Sequence, residues 1–197
     1  FFGMRRGGRH LYALDVTDRN RPRLKWNLGP GQLPGIGETW STPTIARVRI
    51  DGADQNAENL VLVFGGGYDD AQENYEYTAD SSGNRLFIVD ASSGRLLWFA
   101  GGPAAAGTPD LALPRMTHSI PGRVVVLDTN GDQYADRLYA GDMGGRVWRF
   151  DLWNGRPRAT FGTGGVFAAL GAGDTGATGI EAVKGVKVAG DLGDQQA

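Results

Sequence analysis

Residues 83–90 read Gly-Asn-Arg-Leu-Phe-Ile-Val-Asp, and variants of this pattern recur at 8–15 and at 144–151. Each copy runs from glycine through apolar positions to an aspartate, which predicts a β-strand that ends in an aspartate turn. A second strand-like piece containing a tryptophan follows the first two copies, at 23–26 and 94–99. The recurring unit is therefore predicted to be a β-hairpin.

Two more pairs of matched segments precede the second and third copies. Residues 40–48 resemble 118–126, and the run 60–66 resembles 137–141. The apolar run is typical of a strand buried on both faces, and no segment beyond about ten residues has a helical period. Four short strands per unit, repeated along a chain, are typical of β-propeller blades, whereas a β-sandwich does not usually repeat in this way. We therefore predict an all-β fold that forms part of a β-propeller with four-stranded antiparallel blades.

The composition agrees with a folded, turn-rich chain. The 197 residues include 32 Gly, 9 Pro and no Cys, with 41% hydrophobic residues and a net charge of −2. This composition excludes disulfides and thiol nucleophiles, and the scattered charges offer no electrostatic footprint for nucleic acid. The longest apolar run is far shorter than the roughly 20 residues of a membrane-spanning helix. We expect neither a nucleic-acid partner nor a membrane span in this chain.

The repeats divide the chain into parts of a ring. We expect the end of one blade at about 1–30, a full blade at 40–100, the next blade at 117–162, and a divergent or truncated tail at 172–197. Propellers generally have at least about four blades. The chain is therefore expected to be a piece of a larger ring.

The loop at 128–136 has the clearest chemical pattern, and it lies between predicted strands at 123–127 and 137–141. It reads Asp-Thr-Asn-Gly-Asp-Gln-Tyr-Ala-Asp. The alternate spacing lets a curled loop turn oxygen-bearing side chains inward, and a backbone carbonyl and a last carboxylate complete one side. The candidate calcium ligands are Asp128, Asn130, Asp132, the carbonyl of Tyr134, and Asp136.

Calcium suits this loop because it takes about six to eight oxygen ligands from a flexible segment, whereas magnesium prefers an octahedral shell with retained waters. Three nearby carboxylates also repel one another without a cation. The loop resembles the first half of an EF-hand, but Gln133 replaces the glycine, position 12 is not Glu, and strands flank it. The alternative interpretation is a solvated Asn-Gly turn. The acidic loop 51–56 has irregular spacing and is interpreted as a solvated turn.

Catalytic residues are not indicated. The two histidines, His10 and His118, are expected to be packed or exposed on strands, and Ser41 and Ser119 lack the glycine context of a nucleophile elbow. The glycines at 65–67 follow a strand but precede no helix, so they do not form a phosphate-binding loop. We expect a protein without catalytic or organic-cofactor sites.

Several ordered motifs resemble one family, the PilC/PilY proteins of type IV pilus biogenesis and tip adhesion. The resemblance covers about residues 3–171 and is carried by the segments 3–15, 38–43, 63–69, 128–136 and 139–151. It implies a calcium-regulated propeller at the C-terminal end of a large exported protein, with the same five residues of the loop 128–136 as calcium ligands. From Gly173 onward the expected pattern is absent.

The resemblance also implies a function and its partners. Calcium occupancy would regulate pilus extension and retraction, and through them twitching motility and adhesion. The implied partners are pilins and minor pilins, with host or surface ligands bound by regions outside this chain. The implied location is the cell surface, on the pilus or outer membrane. Two alternatives are a quinoprotein dehydrogenase that binds pyrroloquinoline quinone, because residues 86–98 resemble its blade repeat, and a passive scaffold whose loop binds metal only for stability.

Overall fold

The computed structural model describes residues 1–74, 79–102 and 107–170, and the secondary structure of these residues is almost entirely β. The strands in chain order are β1 (Phe2–Gly3), β2 (Leu11–Asp15), β3 (Arg23–Leu28), β4 (Thr44–Arg47), β5 (Ile50–Asp51), β6 (Leu60–Gly65), β7 (Arg85–Asp90), β8 (Leu96–Gly101), β9 (Leu111–Ala112), β10 (Val125–Leu127), β11 (Arg137–Gly141), β12 (Arg146–Leu152), β13 (Arg156–Pro157) and β14 (Gly162–Ala169). Within the described ranges, helical structure is limited to short 3-10 turns at Asp70–Asn74 and Arg158–Thr160. The all-β prediction is confirmed.

Three of the sheets follow one another along the chain. The first has the order β1-β2-β3, the second β4-β6-β7-β8-β9, and the third β10-β11-β12-β14. Within these three sheets, neighbouring strands are antiparallel except β8 and β9, and a separate two-stranded sheet pairs β5 with β13 in parallel. The recurring segment forms β2, β7 and β12, which lie at corresponding places in their sheets. The hairpins β2–β3 and β7–β8 form as predicted, with Ala13 opposite Trp26 and Ile88 opposite Trp98.

The middle sheet is buried on both faces because alternate side chains of a strand point to opposite sides. On β7, Phe87 and Val89 pack with residues of the first sheet, whereas Leu86 and Ile88 pack with the third. Strand β6 divides its apolar residues between the same two clusters, as predicted for a strand buried on both faces. The hydrophobic core therefore lies in two layers, one at each junction between consecutive sheets.

The entry to the third sheet differs from the sequence prediction. The match with residues 40–48 predicts a strand over 118–126, and the position of the loop predicts one at 123–127, whereas β10 covers only Val125–Leu127. The preceding residues instead bond to other segments: the N–H of Ile120 donates to the carbonyl of Gly83 at 3.0 Å, and its carbonyl accepts from Gly67 at 3.1 Å. A β-carbon added to Gly65 would overlap the Ile120 carbonyl oxygen. Residues 118–124 thus cross the ends of the second sheet instead of extending the third.

The aspartates that end the recurring segments behave in two ways. Asp15 accepts hydrogen bonds from the backbone and hydroxyl of Thr17, and Asp90 does so with Ser93. Asp151 does not end its strand, since β12 continues to Leu152. The reason is local chemistry: no Ser or Thr follows Asp151 closely, and its carboxylate pairs with Arg137 and Arg149.

The last strand of the third sheet, β14, covers Gly162–Ala169. The third sheet therefore extends past residue 162, where this blade is predicted to end. The pairing of β14 with β12 runs from Leu152↔Gly162 to Arg146↔Ala169. The tail at 172–197 lies outside the described residues. In the part of the chain that the structure describes, no helix has the length and hydropathy needed to cross a membrane.

Candidate metal centre

The loop 128–136 joins β10 to β11, and the two residues that flank it, Leu127 and Arg137, are paired across the antiparallel ladder. The loop is therefore the tip of a β-hairpin at one edge of the third sheet. Asp128, Asn130 and Asp132 are exposed, and Tyr134 and Asp136 are partly buried. The exposed half is accessible to an ion from solvent, and the partly buried half is anchored in the protein.

Side chains at alternate positions shape the exposed half. One carboxylate oxygen of Asp128 accepts from the N–H groups of Asn130 and Gly131, at 3.2 and 2.7 Å, and the other accepts from Gln133 at 2.8 Å. The loop curls around the Asp128 carboxylate as a result. Gly131 and Gln133 have φ values of +82° and +73°, and this left-handed conformation lets consecutive N–H groups point inward.

The next two predicted ligands are joined to the same turn. The amide oxygen of Asn130 accepts from the N–H of Asp132 at 2.8 Å, and the amide nitrogen of Asn130 donates to the Asp132 carboxylate at 3.2 Å. Asp132 also accepts from the N–H of Tyr134 at 2.8 Å. The fold thus brings Asp128, Asn130, Asp132 and the main chain of Tyr134 together in one hydrogen-bonded turn.

Asp136 has a different partner. Its carboxylate accepts from the N–H and the hydroxyl of Thr129, at 2.8 and 2.9 Å, and this closes the base of the loop. Sequence reasoning missed Thr129, although its place directly after Asp128 marks it as a residue of the same turn. Among the described residues, no three His, Asp or Glu side chains are clustered in an arrangement that could hold a metal ion. The candidate set includes two donors of other kinds, the Asn130 amide and the Tyr134 carbonyl.

Hydrogen bonds within the loop stabilise the ionised form of Asp128. Desolvation raises the pKa of Asp128, but the N–H groups of Gln133, Gly131 and Asn130 outweigh it and leave that pKa below the ordinary value of 3.8. Beside the loop, desolvation also raises the pKa of Asp151, and the hydrogen bonds from Arg149 and Arg137 lower it to a net value below the ordinary one. These two arginines are therefore paired with Asp151, and Asp128 is ionised at neutral pH.

The loop also contacts the second sheet through residues that the sequence analysis did not single out. The N–H of Ala135 donates to the carbonyl of Arg47 at 2.8 Å, and the Arg47 side chain reaches the Gln133 amide at 3.4 Å. The guanidinium of Arg49 lies 5.4 Å from the centre of the Tyr134 ring, within cation–π range. No periodic signal marks these partners, because they lie in another blade.

The other candidates from the sequence have structural roles. In the loop 51–56, Asn56 donates from its backbone and side chain to Asp90, and Asp54 pairs with Arg95. Ser41 donates to the carbonyl of Gly122 at 2.7 Å and accepts from Gly65 at 2.9 Å, so it ties two segments together. These contacts agree with the interpretation of loop 51–56 as a turn.

Three consecutive, largely antiparallel sheets of three, five and four strands, which pack against one another through two core layers, have the blade arrangement of a β-propeller domain. Residues 1–161 match the family model of the PilY1 β-propeller domain. The chain belongs to the PilY1 β-propeller family, and the family predicted from the sequence motifs is confirmed.

Known relatives agree with this assignment. The chain is 32% identical over 154 residues to the type IV pilus biogenesis factor PilY1 of Pseudomonas aeruginosa strain PAO1. The alignment covers 78% of this chain and 11% of that protein. A PilY1 homolog from Xylella fastidiosa is 31% identical over 153 residues, covering 74% of this chain and 9% of the homolog. The chain thus spans about a tenth of the length of these relatives.

A solved structure supports the fold assignment. The crystal structure of the P. aeruginosa PilY1 C-terminal domain superposes with a TM-score of 0.53 at 31% identity, over 76% of this chain and 26% of that chain. The predicted β-propeller fold is therefore confirmed by both family and structure.

Proposed function

We propose that this chain is the calcium-binding β-propeller module of a type IV pilus biogenesis protein. In this proposal, calcium occupancy of the loop 128–136 regulates pilus extension and retraction, and so twitching motility and adhesion. Its family supports the pilus role, since the relatives are named type IV pilus biogenesis factors. The observation that carries the calcium role is the winding of one exposed turn around Asp128, Asn130 and Asp132.

The donor chemistry fits a hard cation. Each ionised carboxylate has about four acceptor positions, so Asp132, which accepts from Asn130 and Tyr134, and Asp136, which accepts from Thr129, retain capacity for a metal. A calcium ion would supply the positive charge that offsets the repulsion between Asp128 and Asp132, which share one turn. Asp128, Asn130 and Asp132 would hold it from the exposed side, and the Tyr134 carbonyl and Asp136 from the base.

The proposal extends to location and partners. We expect an exported protein at the cell surface, associated with the pilus or outer membrane, with pilins and minor pilins as partners. Adhesion to host or surface ligands would use regions outside this chain. The family assignment favours this function over the quinoprotein dehydrogenase, because the relatives are pilus biogenesis factors.

Calcium titration tests the binding step. Isothermal titration of the wild-type protein should show one site, which Asp132→Asn removes because it takes a charged ligand from the turn. Asp18→Asn is the matched control, since Asp18 also accepts a backbone N–H two residues ahead, from Asn20 at 3.0 Å, but lacks the alternating oxygens. Equal heats for wild type and Asp132→Asn would contradict the calcium assignment.

A motility assay tests the regulatory step. A strain that carries Asp132→Asn in the full-length protein should show altered twitching, and Asp18→Asn should behave as wild type. A passive scaffold gives a different pattern: calcium raises the melting temperature, yet twitching of the Asp132→Asn strain is unchanged. That pattern would refute regulation while leaving calcium binding in place.

A further inference from the structure

The turn between β12 and β13 holds a partly buried asparagine, Asn154, that contacts both the loop and the second sheet. We propose that Asn154 is a positioning residue, through which cation binding at the loop 128–136 is transmitted to the junction between the second and third sheets. This inference rests on the proposed calcium site and adds the structural route by which its occupancy reaches a neighbouring blade.

Both the oxygen and the nitrogen of the Asn154 side-chain amide form hydrogen bonds. Its oxygen accepts the backbone N–H of Arg49 at 2.8 Å, and its nitrogen donates to the backbone carbonyl of Ala135 at 3.0 Å. Arg49 lies between β4 and β5 in the second blade, and Ala135 lies within the loop, between two proposed ligands. A single amide group therefore joins the loop to the adjacent blade.

Ala135 has little freedom to move independently of these contacts. It is 3% exposed and belongs to the core between the second and third sheets. Its N–H donates to Arg47 at 2.8 Å, while its carbonyl accepts from Asn154. Both backbone groups of this residue are thus held by other segments, so a shift of Tyr134 or Asp136 toward a cation acts directly on them.

Further contacts near Asn154 connect the third sheet to the second blade. The carbonyl of Arg49 accepts the N–H of Gly155 at 2.7 Å, directly after Asn154, and β5 pairs in parallel with β13 through Ile50 and Arg156. Arg49 is therefore held at both backbone groups by the turn 154–155. Its guanidinium also reaches the Tyr134 ring, which makes a second contact with the loop.

The chemistry of the link requires an amide at this position. Asparagine offers one acceptor and one donor from a short side chain, whereas aspartate offers only acceptors. Asn154→Asp retains an acceptor for Arg49 and loses the donor to Ala135. This substitution therefore separates the attachment to the second blade from the attachment to the loop.

Coupling between the sites is reciprocal. If the Asn154 contacts favour the loop conformation that binds calcium, calcium stabilises those contacts by the same factor. The backbone N–H of Arg49 reports this, because it opens to exchange only when its bond to Asn154 breaks. Arg49 lies 105 residues from Asn154 along the chain. Protection of its N–H from exchange therefore depends on the tertiary fold and not on residues near it in sequence.

Amide hydrogen exchange of the full chain, with saturating calcium or with chelator, tests the inference. In wild type, calcium should slow exchange at Arg49 about tenfold, within the usual range of coupling. Asn154→Asp should lose this response while its melting temperature stays near that of the control Asn27→Asp, which places the same added charge on an exposed position of β3.

The outcomes separate the two proposals. Loss of the calcium response in Asn154→Asp, with calcium heats retained in titration, supports a positioning role. Two results would overturn the inference and leave the calcium site standing. In one, wild type gives a calcium heat but no change in the exchange rate of the Arg49 amide; in the other, Asn154→Asp shows the same calcium-dependent slowing as wild type. A wild-type protein that gives no calcium heat at all overturns the calcium site and the inference together.

Discussion

Truncation of Phe87 to alanine tests whether the face of the middle sheet that packs with the first sheet is a core face. Phe87 is 0% exposed, and its ring lies 5.6 Å from that of Phe64 and 5.9 Å from that of Phe99. Removing a buried phenylalanine ring costs about 3–5 kcal/mol, which includes the cavity left behind. Two aromatic pairs are lost at the same time, each contributing about 0.5–1.5 kcal/mol beyond area burial, so we expect the upper half of that range.

Urea unfolding followed by tryptophan fluorescence measures the effect as a lower midpoint, because the free energy of unfolding falls linearly with denaturant. Domains are commonly stable by about 5–15 kcal/mol, so the expected loss is a large share of the total. The control is Leu24→Ala on β3, where the side chain is 59% exposed and truncation should cost less than about 0.5 kcal/mol. A Phe87→Ala protein as stable as this control would refute the proposed packing of the first junction.

Two further predictions concern the turns and the crossing segment. Desolvation raises the pKa of Asp90, but hydrogen bonds from Asn56 and Ser93 bring that pKa below the ordinary value of 3.8. The ionised carboxylate therefore contributes to the free energy of unfolding above pH 3.8, and this contribution is lost as the pH falls through the folded-state pKa. Asp90→Asn should therefore lower the free energy of unfolding at neutral pH and flatten its decline in acid; an equally steep decline in both proteins would contradict this. Gly65→Ala should destabilise the protein by about 1–3 kcal/mol in the same urea assay, because the new methyl group overlaps the Ile120 carbonyl, and wild-type stability would show that residues 118–124 do not cross there.

Much of the fold was predictable because its signals are local. The alternation and glycine–aspartate boundaries of residues 83–90 and their copies predicted the strands β2, β7 and β12. The apolar run that became β6 indicated burial on both faces, and the structure confirms it. Turn chemistry also operates between neighbours, which is why the turn at Asp90 was correctly predicted from the residues around it.

The prediction was wrong where distant contacts override a local pattern. Residues 118–124 resemble a strand, but their backbone groups bond to glycines of the second sheet. Asp151 occupies the position of Asp90 in its repeat, yet Arg137 and Arg149 hold it within a longer strand. The partners of residues 118–124 come from another sheet, whereas Asp151 pairs with Arg137 of the neighbouring strand and with Arg149 of its own strand.

For the candidate site, the spacing of Asp128, Asn130 and Asp132 was sufficient to predict one shared turn, because residues so close in the chain can meet without the rest of the fold. The grouping of these side chains follows from the sequence, whereas calcium binding itself stays a prediction for titration. Asp136 was expected on the same ion, and in the structure its carboxylate bonds to Thr129 at the base of the loop.

The sequence by itself determined the strand repeats, the hairpins, the family, and the oxygen-bearing residues of the loop, since these depend on neighbours along the chain. The tertiary structure decided which junction each face of β7 enters, and it placed the loop against the second blade. The contacts that do so join residues 86 and 105 positions apart: Arg47 bonds to Gln133 of the loop, and Arg49 bonds to Asn154, which in turn donates to Ala135 of the loop. Such pairs form only after the sheets have packed, because hydrogen bonding and burial depend on distance in space and leave no periodic mark in the sequence.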